Sequence, residues 1–263
     1  MASLLIDAGN TRIKWGILND QGLIESRGFI LTSEAAVMSE GLQAFLPMID
    51  RALYVSVASD LVNRHIESML EEHLRDAWHR FVPVAEVAGV ANDYADPSQL
   101  GADRLVAAIG AWARIGKACL VVNCGTATTV DIVVPNHLQK KEPNATFGHD
   151  TAAARFSGGI ILPGLSLMKS SLYRNTARLP EASGKFADIP DNTLDAIETG
   201  CLLAQVGAIE AMARQFNTAV PLVLSGGAAS SIAGLLRSRG FTVIEAPELV
   251  LEGLSVAILQ RFS

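Results

Sequence analysis

The sequence predicts a two-domain α/β protein whose halves repeat one architectural idea, and three observations carry this expectation. An apolar run, Ser3-Leu4-Leu5-Ile6-Asp7, breaks at the small polar turn Ala8-Gly9-Asn10-Thr11 and resumes as the alternating strand Arg12 to Leu18. The same pattern recurs where Ala118 to Asn123 runs into Cys124-Gly125-Thr126-Ala127-Thr128-Thr129 and then Val130 to Val134. With 263 residues, 49% of them hydrophobic, the chain can bury two cores of ordinary size. We place the expected domains at 1–116 and 117–263, with the last helix free to pack on the first.

The elements follow in order. Asn19-Asp20-Gln21-Gly22 is a turn signal, and Leu23 to Leu31 supplies a third strand, so the first three strands form an antiparallel meander. A helix is expected from Ser33 to Phe45, a strand from Ala52 to Ala58, a helix from Asp60 to Trp78 and a short strand from Phe81 to Val84. Gly101-Ala102-Asp103-Arg104 opens a small-residue helix, Leu105 to Ala113. In the second half, residues 135–156 turn polar and read as a hairpin tip or loop. Gly158 to Gly164 leads into a helix from Leu165 to Tyr173. A long helix from Asn192 to Phe216 comes next, then a strand from Val220 to Leu224. Ser225-Gly226-Gly227-Ala228-Ala229 and a helix follow, then a strand from Phe241 to Glu245 and a final amphipathic helix ending near Phe262.

Composition excludes several classes of function. A formal net charge of −6 and the lack of any basic stripe beyond Lys140-Lys141 argue against a nucleic-acid partner. No apolar run approaches the ~20 residues that span a bilayer, and the N-terminus has no basic leader, so the expectation is a soluble, cytoplasmic protein without a membrane partner. Cys119, Cys124 and Cys201 lie in apolar segments without CxxC spacing and read as structural thiols. The five histidines are scattered: His65, His73 and His79 in a polar helical stretch, His137 and His149 in the loop.

Chemistry concentrates at a few sites. A phosphate chain needs close backbone N–H donors, hydroxyl or cationic donors, and a carboxylate to organise Mg²⁺. Asp7-Ala8-Gly9-Asn10-Thr11 offers these at one hairpin tip, with Lys14 on the outgoing strand; an ordinary hairpin turn uses the same residues. Cys124 to Thr129 suits a second phosphate-gripping hairpin, although threonines also favour plain strands. Paired glycines at 226 and 227 let backbone pass close to an adenine or ribose. Asp103, in the first turn of its helix, can accept a hydroxyl proton, and Arg104 can pair with a carboxylate or a phosphoryl group; a surface pair at a helix start looks the same.

Taken together these segments resemble type III pantothenate kinase, a family of the sugar-kinase, heat-shock ATPase and actin superfamily. The resemblance runs from Leu4 to the final helix. It rests on Asp7 to Gly16, Gly101 to Arg104, Gly125-Thr126-Ala127-Thr128, Gly159 to Gly164, and Asn192-Thr193 with Ala196 to Gly200. It implies two duplicated ribonuclease-H-like (actin-type ATPase) domains with a nucleotide cleft between them, and ATP-dependent phosphorylation of pantothenate on the way to coenzyme A. By the same resemblance, Ile6, Asp7, Ala8, Gly9, Asn10, Thr11, Arg12, Ile13 and Thr126 bind ATP, and Asp7 stands near Mg²⁺, through water. Asp103 is the general base. Tyr94, Gly101, Ala102, Asp103 and Arg104 form the pantothenate site, and Thr193 reaches it across a homodimer. Many members carry an aspartate that helps hold potassium or ammonium where this chain has Asn123. A neutral amide coordinates potassium less well than a carboxylate. Two other readings share the features: a kinase of another small metabolite, and an accessory factor in transcription, against which the acidic balance argues.

Overall fold

In the computed structural model, which describes residues 2–138, 152–176, 179–180, 183–216 and 219–261, the protein is a mixed α/β chain. It runs β1 (Ala2–Ala8), β2 (Arg12–Leu18), β3 (Ile24–Leu31), α1 (Met38–Leu42), β4 (Ile49–Ser56), α2 (Asp60–Leu74), β5 (Trp78–Arg80), β6 (Glu86–Val87), β7 (Val90–Asn92) and α3 (Ala102–Ile115). It continues through β8 (Cys119–Cys124), β9 (Ala127–Pro135), β10 (Ala154–Pro163), α4 (Leu165–Asn175), α5 (Thr193–Ala213), β11 (Leu222–Ser225), α6 (Ala229–Ser238), β12 (Val243–Glu245) and α7 (Leu249–Arg261). Lys140, Lys141 and His149 lie outside the described residues. Two compact units emerge: the first comprises Met1–Gly116, Val134–Ser157 and Glu248–Ser263, the second Lys117–Val133 and Gly158–Pro247.

The first unit is built on a sheet of order β3-β2-β1-β4-β5. β1 pairs with β2, and β2 with β3, antiparallel, as expected for a meander, while β4 and β5 add in parallel. Leu4, Ile6, Ala8 and Ile13 from the first hairpin meet Tyr54, Ile66 and Leu70 in one buried cluster. Because strand side chains alternate, burying these residues leaves Asp7 and its cross-strand partner Lys14 on the opposite face. Elsewhere in the unit, β6 pairs with β7, and the first residues of β10 run parallel to β7.

Helices α3 and α7 pack with their backbones in contact. A Cβ on Gly110 would stand 2.5 Å from the Leu249 carbonyl oxygen, and one on Gly253 would collide with the carbonyl of Val106. Glycine at both positions brings the axes closer than side chains would permit. Leu105 to Ala111 are consequently buried throughout.

The second unit carries strands in the order β12-β11-β8-β9-β10. Parallel β11 and antiparallel β9 flank β8, whose Leu120, Val122 and Cys124 pack against Val206 and Ile209 of α5 and Ile232 and Leu236 of α6. Among the described residues α5 alone is long and apolar enough to cross a membrane by length and composition. Asp195, Glu198 and Glu210 interrupt it, and its Ile197, Leu202, Val206 and Ile209 lie in this core.

Several boundaries differ from expectation for physical reasons. The helix expected from Ser33 to Phe45 is a 3₁₀ turn, the short α1 and a second 3₁₀ turn carrying Pro47. Helix α2 ends at Leu74, where Arg75 takes a positive φ of 51°. The following strand is therefore Trp78–Arg80 rather than Phe81–Val84: Phe81 N–H makes a last bond to Tyr54 O, and Pro83 has no N–H to continue the ladder. β6, β7 and the strand Ala154–Pro163 were not expected at all. The start of Ala154–Pro163 falls in the stretch expected as loop, whereas residues 86–92 carry no expectation.

Candidate active site

The β1–β2 hairpin separates side chains by function. Ile6, Ala8 and Ile13 are fully buried in the core, so only their main-chain atoms can meet a ligand, whereas Asn10, Thr11 and Arg12 stand exposed at the tip. Gly9 N–H donates to Arg12 O at 3.0 Å and closes the turn. Thr32, which no local motif singles out, braces it from just past the end of β3. Its hydroxyl donates to Gly9 O at 2.9 Å and its N–H to Thr11 O at 3.1 Å. Arg12 lies over the ring of Phe29, 4.8 Å from its centroid.

The start of α3 gathers the other predicted residues of this unit. Arg104 N–H donates to Asp103 Oδ1 at 2.9 Å, so the main chain of one residue orients the carboxylate of the one before it. The Arg104 side chain turns inward, only 6% of the residue being exposed, and donates to the Tyr94 hydroxyl at 3.0 Å. Its guanidinium carbon lies 5.5 Å from the centroid of Phe156 and 5.9 Å from that of Tyr94, and the two rings meet edge to face at 5.9 Å. A surface arginine at a helix start would show none of this. Gly101 supplies the N-cap of the helix and Ala102 its first residue.

Electrostatics ties this helix start to the hairpin. Asp7 keeps a partly exposed face, yet burial of its surroundings pushes its carboxyl up to about 7, helped by the charge of Asp103 and, less, of Glu248, while Lys14 opposes the rise. Asp103 is likewise raised by burial, against the lowering effect of the Arg104 N–H and guanidinium. Lys14 Nζ lies 3.6 Å from Glu248 Oε2, immediately before α7. Three carboxylates thus share one neighbourhood with a single lysine. Among the described residues no three His, Cys, Asp or Glu side chains converge tightly enough to hold a metal by themselves. A donor set of this kind fits Mg²⁺ held through one or two carboxylates, water and the phosphates of its own nucleotide.

The second unit presents its own hairpin and glycine turn. Thr126 is exposed at the β8–β9 tip, where Gly125 N–H donates to Ala127 O at 3.1 Å and Gly164 N–H to Thr126 O at 3.0 Å. Gly226, at φ +91°, brings the turn after β11 against β8: a Cβ there would stand 2.5 Å from Cys124 O. Asn123 Oδ1 sits 3.5 Å from Ser225 Oγ. These are neutral oxygens, a poor fit to a site that relies on a carboxylate for potassium. Thr193 is the exposed first residue of α5. Asn192 caps the helix, accepting from Asp195 N–H at 3.0 Å. Thr193 lines a groove of about 1090 Å³ between α4 and α5, walled by Leu167, Met168, Leu172, Ile197 and Cys201. Cys119 and Cys124 are buried, with thiols pushed up to about 12 by desolvation, which suits structural and unreactive groups.

Sequence reasoning missed Thr32, Phe156 and Glu248. Each acts through a partner far along the chain, and no local motif announces it.

A family model described as type III pantothenate kinase matches residues 3–138 and 145–215. The type III pantothenate kinase of Aromatoleum aromaticum is 42% identical over 255 residues, covering 96% of both chains. That of a Janthinobacterium species is 40% identical over 276 residues, covering 98% of both. Among solved structures, component A of (R)-2-hydroxyglutaryl-CoA dehydratase from Acidaminococcus fermentans superposes with a TM-score of 0.55 at 15% identity, over 99% of this chain and 97% of that one. The fold is thus that of the two-domain actin-like ATPases and sugar kinases, and the relatives make its class a phosphotransferase. Within that class, the chain belongs to the type III pantothenate kinase family.

Proposed function

We propose that this protein transfers the γ-phosphoryl group of ATP to the hydroxyl of pantothenate, giving 4'-phosphopantothenate in the first step of coenzyme A biosynthesis. The observation that carries the reading is the pairing of Asp103 with Arg104. Adjacent residues present an oriented carboxylate and a guanidinium held by Tyr94, the two groups needed by a substrate bearing both an alcohol and a carboxylate. Asp103 accepts the hydroxyl proton as the oxygen attacks, and Arg104 with Tyr94 anchors the carboxylate end. Phosphoryl transfer through a loose transition state asks mainly for positioning and charge neutralisation, which a single base and a few donors supply.

Main-chain N–H groups of residues 6–13, the exposed Asn10, Thr11 and Arg12, and Thr126 are assigned to the ATP phosphates. Asp7 is assigned to Mg²⁺, which, when bound, neutralises charge on the phosphates. Lys14, beside Asp7, is placed to add a positive charge once Glu248 releases it. No step is assigned to a monovalent cation at Asn123, because its neutral amide offers no charge to favour one. Thr193 and the apolar groove beside it support a homodimer in which this face meets a second copy, Thr193 completing the partner's pantothenate site. The net charge of −6 and three buried free thiols favour a cytoplasmic enzyme without a nucleic-acid or membrane partner.

The test is phosphoryl transfer from labelled ATP to pantothenate, run with Mg²⁺ in sodium, potassium and ammonium buffers. Turnover is expected in all three. Turnover on another alcohol and none on pantothenate would move the assignment to a different small-molecule kinase.

A further inference from the structure

We propose that Asn92 is a positioning residue of this substrate site, holding Tyr94 where its hydroxyl receives the Arg104 guanidinium. The inference rests on the reading of Tyr94 and Arg104 given above and adds a residue that does not itself touch substrate.

Asn92 is the last residue of β7 and is 7% exposed. Its carboxamide is engaged at both ends. Nδ2 donates to Pro97 O at 3.1 Å and more weakly to Val84 O at 3.4 Å, while Oδ1 accepts the Tyr94 N–H at 3.1 Å. Two carbonyls face the nitrogen and one N–H faces the oxygen, so the amide has a single satisfied orientation. One side chain thereby ties three separate stretches, at 84, 94 and 97, into a fixed loop. That loop leads directly to Gly101 and the start of α3.

The main chain of Asn92 fastens the same point to the neighbouring strand. Asn92 pairs with Phe156 across the β7–β10 ladder, Asn92 N–H donates to Ala85 O at 2.8 Å, and Asp93 N–H donates to Phe156 O at 3.1 Å. Phe156 is the ring that backs both Tyr94 and Arg104. The cross-strand pair therefore sets both sides of the cradle: Phe156 supplies its wall, and Asn92 fixes the backbone from which Tyr94 projects. Few other side chains offer this. Aspartate would set a charge against two carbonyls, and an apolar residue would take this partner from the Tyr94 N–H and the Val84 carbonyl and leave Pro97 O with the Leu100 N–H at 3.3 Å.

The experiment is a double-mutant cycle on the full-length enzyme with Asn92→Ala, Tyr94→Phe and the double variant, reading kcat and KM for pantothenate and for MgATP. Asn92→Ala is expected to raise KM for pantothenate roughly tenfold and to leave KM for MgATP within about twofold, the scale of losing one or two hydrogen bonds behind one substrate. Tyr94→Phe should then cost much less in the Asn92→Ala background than alone, because the hydroxyl is already misplaced. Additive effects, or equal rises in both KM values, would overturn the proposal in favour of a merely structural asparagine. Asn92→Ser, which keeps a small acceptor, takes the place of the alanine variant if that one does not fold. Amide hydrogen exchange on the wild type tests the contact without any variant or substrate. The Tyr94 N–H is expected to be protected, and rapid exchange there would refute the proposal. A wild-type enzyme inert towards pantothenate would defeat the functional reading alone, leaving the exchange result to decide this one.

Discussion

The main-chain N–H of Arg104 donates to the carboxylate of Asp103 at 2.9 Å, while the Arg104 side chain reaches the other way, to Tyr94. One residue thus orients the proposed base and contributes the proposed anchor, and the spacing between them is set by the first turn of a helix. Asp103→Asn keeps the shape and the bond from Arg104 while removing the proton acceptor. It is expected to lower kcat by about 10²- to 10⁴-fold with MgATP affinity nearly unchanged, as steady-state kinetics and nucleotide titration would establish.

Arg104→Lys preserves charge and removes the planar fork that lies between Tyr94 and Phe156. KM for pantothenate should rise by roughly ten- to a hundredfold, about 1.4 to 2.8 kcal/mol, with a smaller change in kcat. An unchanged KM would show that the guanidinium does not meet the substrate.

The pH dependence has a defined sign. The Asp7 carboxyl is pushed up to about 7 from an ordinary value of 3.8, so the folded metal-free protein holds this proton more tightly than the unfolded chain. The stability it contributes is fully present below pH 3.8 and is lost as pH rises through about 7. Chemical denaturation of the metal-free protein should therefore show Asp7→Asn gaining on the wild type between about pH 4 and pH 7, by a few kcal/mol at most, with no further gain above. On the proposed assignment of Asp7 to Mg²⁺, the metal competes with the same proton, so MgATP should bind more tightly as pH rises through that window, and the trend should vanish in Asp7→Asn.

Gly110 and Gly253 let α3 and α7 touch, and a methyl group at either meets a carbonyl oxygen. Gly253→Ala is expected to cost about 1–3 kcal/mol and to lower Tm by several degrees in a thermal melt. Since Asp103 lies in the first turn of α3 and α7 follows Glu248, activity should fall with it.

Much of the fold was legible because its signals are local. The β1–β2–β3 meander follows from alternation and turn chemistry, and the two hairpins follow from a repeated run of strand, small polar turn and strand. The start of α3 is legible from Gly101 to Arg104. What escaped notice depends on partners distant in sequence. β7 is three residues long and acquires its identity from pairing with β10, some sixty residues later. Thr32 reads as a strand end until its bonds to Gly9 and Thr11 are seen, and Phe156 reads as loop until it lies under Arg104. The strand placed at Phe81 to Val84 failed because Arg75 stops α2 early, a backbone event that arginine does not advertise.

Phosphoryl transfer to pantothenate is read most plainly from the product itself. Purified protein is incubated with Mg²⁺, ATP and pantothenate, and the mixture is followed by phosphorus NMR and mass spectrometry. The expected result is a phosphomonoester on the pantothenate hydroxyl, formed in step with ADP and abolished in Asp103→Asn. A folded protein that binds MgATP yet forms no phosphopantothenate, or an Asp103→Asn variant that forms it at the wild-type rate, would contradict it.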